Sequence, residues 1–328
     1  MDADCIKLTN YFGERDRVGR RLTAGALIDL YAGHGLAASV LLRGTAIAVD
    51  TRPNIETVLN QALELTNHGL ITLERARLLS DEIDPAGIIS QAGEATRLTF
   101  FLGSHDHVYG APAFEVICEL LYRRGIAGAT VLPGVDGTAH GRRQRAQFFS
   151  RNAEVPMMII TVDPGGFLGP VLPELGGLVR RPLLTLEQVR VCKRDGQLIN
   201  HPEEARGNDD HGFPLRQKLT VYTSEAARHE GQPIHRAIVR ELRSAGISGA
   251  TSHRGIWGFH GDRPPHGDHF PQLGRHVPVI TTVIDTADRI PAAFGIIDKL
   301  TSERGLVTSE TIPVLRAASA HRPRGGRT

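Results

Sequence analysis

The residues of this chain best suited to chemistry lie in one glycine-rich stretch, Arg254-Gly255-Ile256-Trp257-Gly258-Phe259-His260-Gly261-Asp262-Arg263. Glycines let a backbone approach a phosphate and offer it N–H groups, and Arg254 or Arg263 could hold the same anion in bidentate fashion. Trp257 or Phe259 could cover a base. Gly255, Gly258 and His260 complete this candidate set. A second stretch, Pro133-Gly134-Val135-Asp136-Gly137-Thr138-Ala139-His140-Gly141-Arg142-Arg143, puts a proline where the first has Arg254 and has no aromatic at the matching positions. Arg142, Arg143 and Arg145 keep its positive charge and Gly134 stays a candidate beside them, but the loop departs from the pattern of the first. A third stretch is reduced to Arg43-Gly44-Thr45, where Arg43 serves either a neighbouring cleft or a surface salt bridge. A different loop, Gly13-Glu14-Arg15-Asp16-Arg17, returns as Gly103-Ser104-His105-Asp106-His107 and more loosely as Ser224-Glu225-Ala226-Ala227-Arg228. It lies one connection from a helix N-terminus, which attracts anions, so Glu14, Asp16 and Arg17 join the candidates; a solvated charged turn is the plainer reading.

Other chemistries find less support. His253, His260, His266, His269 and His276 crowd one region, yet no H-x-x-x-H pair falls on a helix, and the intervening Gly and Pro make a loop. No metal site is expected there or at His105 and His107. Cys5, Cys118 and Cys192 form no C-x-x-C pair, and each sits in an expected strand or helix, where a free thiol behaves as a small hydrophobe. There is no Walker loop, no H-E-x-x-H and no G-x-S-x-G, so an enzyme is not expected.

The elements that must position these loops are repeated three times. Lys7-Leu8-Thr9 returns as Arg97-Leu98-Thr99 and Lys218-Leu219-Thr220. Gly35-Leu36-Ala37-Ala38 returns at the same offsets as Gly125-Ile126-Ala127-Gly128 and Gly246-Ile247-Ser248-Gly249. Val49-Asp50-Thr51 returns as Val162-Asp163-Pro164 and Ile284-Asp285-Thr286. Repeats this long are small domains rather than solenoid turns. In the first unit a strand over 5–12 leads to a helix over about 20–32 with Leu22, Ala26, Leu27, Leu30 and Tyr31 on one face. Strands over 37–42 and 45–50 follow, then a helix that Pro53 opens and Leu65 closes, then a strand over 73–79. The order is β-α-β-β-α-β, the ferredoxin-like split βαβ pattern. The same order places helices over 113–122, 166–179, 233–244 and 287–302. The fold class read here is α+β with three tandem ferredoxin-like domains at 1–80, 96–194 and 215–316, joined by exposed connectors 80–95 and 194–214 and followed by a basic tail at 317–328. Gly134 lies 29 residues before Asp163 and Gly255 lies 30 before Asp285, but Gly44 lies only 6 before Asp50. The first unit has kept its hairpin and lost the loop within it.

These phrases resemble the PII-like family catalogued as domain of unknown function 190. The third unit carries the likeness in Lys218-Leu219-Thr220-Val221-Tyr222, Gly231-Gln232-Pro233, residues 243–255, Ile256-Trp257-Gly258-Phe259 and Leu306-Val307-Thr308. The second carries it in residues 124–130, the first in Tyr11-Phe12-Gly13-Glu14 and residues 69–74. The resemblance implies a ferredoxin-like unit that assembles as a trimer, with small ligands, often adenine nucleotides such as AMP, ADP or ATP, in the clefts between neighbours. It also implies a long loop that closes on ligand or touches a partner, and a link to transport through fluoride exporters. Three linked units would then close a monomeric pseudo-trimer with unequal clefts, since linkage raises effective concentration.

Composition fits this reading. The 328 residues are 41% hydrophobic and 23% charged, with net charge +2, which gives no strong pull toward nucleic acid or a membrane surface. No apolar run is long enough to cross a bilayer. The acidic start argues against a signal peptide, and a cytoplasmic location with reduced thiols is expected. The function read from the sequence is a signalling protein that binds a small ligand and acts on a partner such as a membrane transporter; a degenerate structural relative is the alternative.

Overall fold

The computed structural model describes residues 3–79, 94–139, 142–145, 155–163, 166–179, 183–204, 206–261, 263–267 and 277–316. It is a mixed α+β structure with six helices among those residues and a mostly antiparallel sheet. The first segment holds β1 (Ala3–Phe12), α1 (Thr23–Gly33), β2 (Ala38–Leu42), β3 (Thr45–Thr51), α2 (Arg52–Leu65) and β4 (Gly69–Leu79). The second holds β5 (Glu94–Gly103), α3 (Ala113–Arg123), β6 (Gly128–Pro133), β7 (Asp136–Ala139), β8 (Arg142–Arg145), β9 (Pro156–Asp163), α4 (Leu168–Leu178) and β10 (Leu183–Arg194). The third holds β11 (Leu215–Ser224), α5 (Ile234–Ser244), β12 (Ala250–Arg254), β13 (Trp257–His260), β14 (His266–Gly267), β15 (Pro278–Asp285), α6 (Ile290–Leu300) and β16 (Leu306–Arg316).

Strand pairing is the same in each segment. β1 lies between β3 and β4, with β2 outside β3. β5 lies between β9 and β10, with β6 outside β9. β11 lies between β15 and β16, with β12 outside β15. Each sheet alternates residues in and out, and each pair of helices covers one face. Leu8, Ile71, Leu27, Tyr31, Ile55 and Val58 make the core of the first segment, and Leu219, Val221, Ile238, Val283, Phe294 and Ile297 that of the third. Helix α5 shows why: its buried Ile234, Ala237, Ile238 and Leu242 recur every three to four residues, placing one apolar stripe against the sheet.

The other sheet faces do not meet water. Cys5, Val40, Phe101, Leu132, Met158 and Ile280, drawn from all three segments, form one cluster between them. The last strands also pair in turn: Leu79 with Leu184, Val191 with Thr308, and Val314 with Thr72. The three segments therefore share one continuous interior. All three cysteines are free and buried. Burial pushes the Cys5 and Cys192 thiols up to about 12 and raises Cys118 as well, so the reactive thiolate is suppressed. Titration of the native protein with an aromatic disulfide reagent at pH 8 is expected to find essentially no fast thiol, and all three after denaturation.

Several boundaries differ from the sequence reading. The first helix starts at Thr23 rather than near residue 20 because Arg17–Val18 and Arg21–Leu22 form a small hairpin before it. The same hairpin precedes α3 and α5, with Tyr109 and Glu230 in positive-φ turn positions. Helix α6 begins at Ile290, not 287, since residues 286–289 make a turn in which Arg289 N–H donates to Thr286. The connector 194–214 is not a plain exposed linker. Gln197–Leu198 pair back onto β10, and Phe213 packs on the core of the first segment. Residues 80–93 of the other connector and the basic tail 317–328 lie outside the described residues, as do Asp262, His140, His269 and His276.

Candidate functional site

The loops singled out from the sequence lie at the seams between segments, and two of them are used as strands. β13 pairs antiparallel with β6 of the second segment, and β7 pairs with β2 of the first. The Ile256 amide donates to the Val131 carbonyl at 3.0 Å, and the Val135 amide to the Leu41 carbonyl at 2.8 Å. Gly258 and Gly137 are required by this approach: a Cβ at either would lie 2.1 Å from the carbonyl oxygen of Ala129 or Ser39. Phe259 is buried in the core of the second segment, edge-on to Tyr122 at 5.4 Å between ring centres. Trp257 stands edge-on to Phe114 at 6.0 Å.

Trp257, Gly258 and Phe259 thus form a docking strand rather than a phosphate cradle under a base. Phe259 has no face to offer a ligand, because apolar burial in the neighbouring core is where its ring is most stable. Gly255 and Gly134 lie at the root of these strands, donating to the carbonyls of Pro278 and Pro156 at 2.8 and 2.9 Å. His260 contacts Asp195 at 3.1 Å, and Arg263 is exposed beyond the strand. Arg142 falls in β8, which pairs with β7. A groove of about 760 Å³ remains between α3, α4 and this loop, lined by Tyr109, Trp257 and Pro265. Its charged lining is Glu115, Glu119, Glu174 and Arg123, with Glu119 paired to Arg123 at 2.7 Å and Glu174 to Arg124, so both neighbouring guanidinium groups already face a carboxylate.

The third seam, between the first and third segments, is built differently. Residues 43–44 close a short turn there, so no strand from the first segment reaches β12, and among the described residues β12 pairs with β15 alone. What meets at this seam is polar, with two arginines each facing a glutamate. Arg254 Nε binds Glu225 at 2.8 Å, with both side chains part-exposed at 34% and 23%. Arg43 stands 3.9 Å from Glu14, with both side chains exposed, and Gly44 completes its turn. His253 Nε2 lies 3.2 Å from the Arg43 carbonyl. Burial lowers the pKa of that imidazole against the raising effect of this contact. The Arg–Glu pair is the same in both segments, and in the second segment its positions hold Pro133 and Ser104. Asp16 is committed to its own turn: its carboxylate accepts the Gly13 amide at 2.8 Å, as Asp106 accepts Gly103. Arg17 reaches the Arg20 carbonyl at the surface. The structure therefore brings the Arg43-Gly44 turn, with Glu14 beside it, against β12 through His253, one residue before Arg254, and places Gly255, Trp257, Gly258 and Phe259 at the seam with the second segment.

A second cluster had not been anticipated. At the centre, where the last strands meet, Lys7, Arg97 and Lys218 alternate with Glu74, Glu187 and Glu310, all nearly inaccessible to water. Glu74 is 2.6 Å from Lys7, 2.8 Å from Lys218 and 3.6 Å from Arg97. Arg97 reaches Glu187 at 2.7 Å and Glu310 through two bonds at 2.5 and 2.8 Å. Lys7 also pairs with Glu187, and Lys218 with Glu310 at 3.0 Å. Burial alone would raise the Glu74 carboxyl, but Lys218, Lys7 and Arg97 outweigh it and hold it far below the usual range. Glu187, buried beside Arg97 and Lys7, is brought down to about 2. Three carboxylates this close resemble a metal cage, yet each already faces cationic side chains that an ion would have to displace. The signal was legible as Thr72-Leu73-Glu74, Thr185-Leu186-Glu187 and Thr308-Ser309-Glu310, a Thr-x-Glu phrase in each last strand.

A cavity of about 650 Å³ opens above this ring, with Glu74, Glu187 and Glu310 at its wall. The charges at its mouth are partly paired off, Arg75 with Asp210 at 3.3 Å and Arg190 with Glu203. A smaller space of about 70 Å³ lies on the ring's other side, among Thr9, Thr99, Thr220 and Tyr222.

Comparison with known proteins fits the repeated architecture. The model of DUF190, described as an uncharacterized ACR, matches residues 95–191 and again 216–314. A UPF0166 protein of Aquifex aeolicus is 27% identical over 100 residues, covering 30% of this chain and 93% of that protein. A UPF0166 protein of Methanocaldococcus jannaschii is 29% identical over 89 residues, covering 27% of this chain and 82% of that protein. Among solved structures, aspartate kinase from Synechocystis aligns at a TM-score of 0.25 and 12% identity, over 94% of this chain and 44% of that one. The chain spans less than half of that kinase, and so low a score carries no inference.

Proposed function

This chain belongs to the DUF190 family, and from that premise we propose that it is a PII-like regulatory protein. In this reading three ferredoxin-like units close as a pseudo-trimer within one polypeptide. The protein binds an adenine nucleotide at the seam between its first and third units and acts on a partner such as a membrane transporter at its cytoplasmic face. No helix among the described residues is long and apolar enough to cross a membrane itself. The observation that carries the reading is the part-exposed Arg254–Glu225 pair, adjoining His253, which contacts the Arg43 carbonyl. A phosphate competes with the Glu225 carboxylate for the Arg254 guanidinium, and charge-assisted bidentate bonds favour the exchange. Glu225 is then released, giving two arrangements of one loop. A ligand that prefers one of them shifts the population, which is the requirement for signalling. The reading requires no bond-making step.

Calorimetry with AMP, ADP, ATP and cyclic AMP tests it. Micromolar binding of one nucleotide is expected, weakened by Arg254→Ala about tenfold or more, as for loss of a hydrogen bond to a charged group. Glu225→Gln is expected to tighten binding by removing the competitor. Absence of heat with every nucleotide at millimolar concentration rejects the reading. A second reading, a scaffold without ligand, is favoured by the burial of Phe259 and by the use of two loops as packing strands. Under it Arg254→Ala changes only local stability.

A further inference from the structure

The two complete seams define what a third strand on β12 would look like. By the repeat, Ser252 stands where Leu41 and Val131 stand, and those two carbonyls each accept an amide from the neighbouring loop. The Gly255 amide points at Pro278 on β15, so alternation along β12 turns the Ser252 N–H and C=O to the opposite side. Ser252 is exposed, whereas Leu41 and Val131 are buried. The flanking helix differs in the same sense. Phe114 and Tyr122 of α3 receive Trp257 and Phe259; at the corresponding positions α5 carries His235 and Arg243, with Arg243 exposed. We propose that the outer edge of β12, which pairs with no strand among the described residues, is a strand-addition site for an extended segment of a partner protein, with a glycine opposite Thr251 and an acidic residue directly after it.

The glycine follows from the filled seams, where Gly258 faces Thr130 and Gly137 faces Val40 and no side chain fits. The acidic residue follows from Arg243, which stands where Tyr122 meets Phe259. Main-chain hydrogen bonds supply the affinity and these two positions the selectivity. The polar strand Ala250-Thr251-Ser252-His253-Arg254 also suits a strand edge kept soluble until it is paired.

The probe is a fluorescein-labelled peptide, Val-Thr-Asp-Gly-Asp-Val-Thr, with a control in which lysine replaces the aspartate after glycine. Fluorescence anisotropy with the full chain is expected to show saturable binding of the first peptide and at least about tenfold weaker binding of the control, as one rim charge reversed against Arg243 implies. Ser252→Pro removes the outward N–H and is expected to weaken binding by about tenfold or more; Ser252→Ala, which removes only the hydroxyl contact to Thr281 at 2.8 Å, is expected to leave binding unchanged. Arg243→Glu is expected to reverse the preference between the two peptides. Hydrogen exchange at Ser252 is expected to be fast in the free chain and slow with peptide. Three outcomes overturn the proposal: no saturation at millimolar peptide, unchanged binding by Ser252→Pro, or protection of Ser252 in the free chain. A concentration-dependent dimer abolished by Ser252→Pro would assign the edge to a second copy instead, and equally overturns it. Ser252→Pro leaves the Arg254–Glu225 pair in place, so the nucleotide titration reports separately.

Discussion

Glu74→Gln is expected to destabilise the protein by about 3–5 kcal/mol, the cost of breaking a buried ion pair by removing one partner. Glu74 contacts all three central cations, so its loss leaves three buried positive charges facing Glu187 and Glu310. Urea denaturation followed by circular dichroism measures the change, with the glutamine keeping the volume nearly constant. Exposed pairs such as Arg123–Glu119 give the contrast: Glu119→Gln is expected to change stability by less than about 1 kcal/mol. Replacing all six central residues with apolar ones of similar size is expected to be far milder than the single change, since it removes the desolvation penalty together with the attraction. The same ring sets the acid limit. A carboxyl whose folded pKa is depressed adds stability that is complete above its unfolded value and is lost as pH falls toward the folded one. For Glu187 that window runs from about 4.5 down to about 2, and for Glu74 it extends lower. Lys218 is shifted upward from 10.5, so its contribution is complete below that value and declines only at higher pH. Stability is expected to be level between about pH 7 and 9, to decline slightly below 6.5 where burial holds the His253 and His235 imidazoles down, to decline above 9 where the buried thiols would ionise only on unfolding, and to fall most steeply below 4.5; Glu74→Gln flattens the acid limb.

Phe259→Ala is the second large effect, expected at about 3–5 kcal/mol for a fully buried phenyl ring. The cost falls on a core to which Phe259 is foreign in sequence, since it belongs to the third segment and fills the second beside Tyr122 and Val131. Trp257, the chain's one tryptophan, lies in the same strand. A red shift of its emission in the variant would report that the strand has left the seam. Unchanged emission with lower stability would mean that the cavity is tolerated with the strand in place. A double-mutant cycle with Tyr122→Ala is expected to return a coupling of about 0.5–1.5 kcal/mol for the edge-on rings.

Much of the architecture was readable from residues. Gly35, Gly125 and Gly246 end their helices in the same way, each N–H reaching back to a helix carbonyl, and Pro53 opens α2. Such signals are local, so a single sequence carries them. The small hairpins before α1, α3 and α5 escaped because a strand of two residues has no period to detect. The central ring escaped for a different reason. Along β1, Lys7, Thr9 and Tyr11 alternate with Ile6 and Leu8, which reads as a strand with one face in water. That face instead meets the other two segments, and alternation cannot distinguish solvent from a facing polar strand. The packing of Trp257 and Phe259 is hidden from the sequence on the same grounds. Aromatics among glycines suggest a ligand platform, whereas their partners Phe114 and Tyr122 lie more than a hundred residues away and leave no local mark.

The covalent joining of the three segments has a consequence for inheritance. In an assembly of identical subunits, one altered codon is felt at every equivalent position at once, and losing the inter-strand loop would open the whole circumference. Here the shortening at Arg43-Gly44 is confined to a single place, and the polar substitutions on β12 and α5 answer it only where they face it. One chain carries the β12 edge once, so the strand-addition proposal expects one bound peptide per chain.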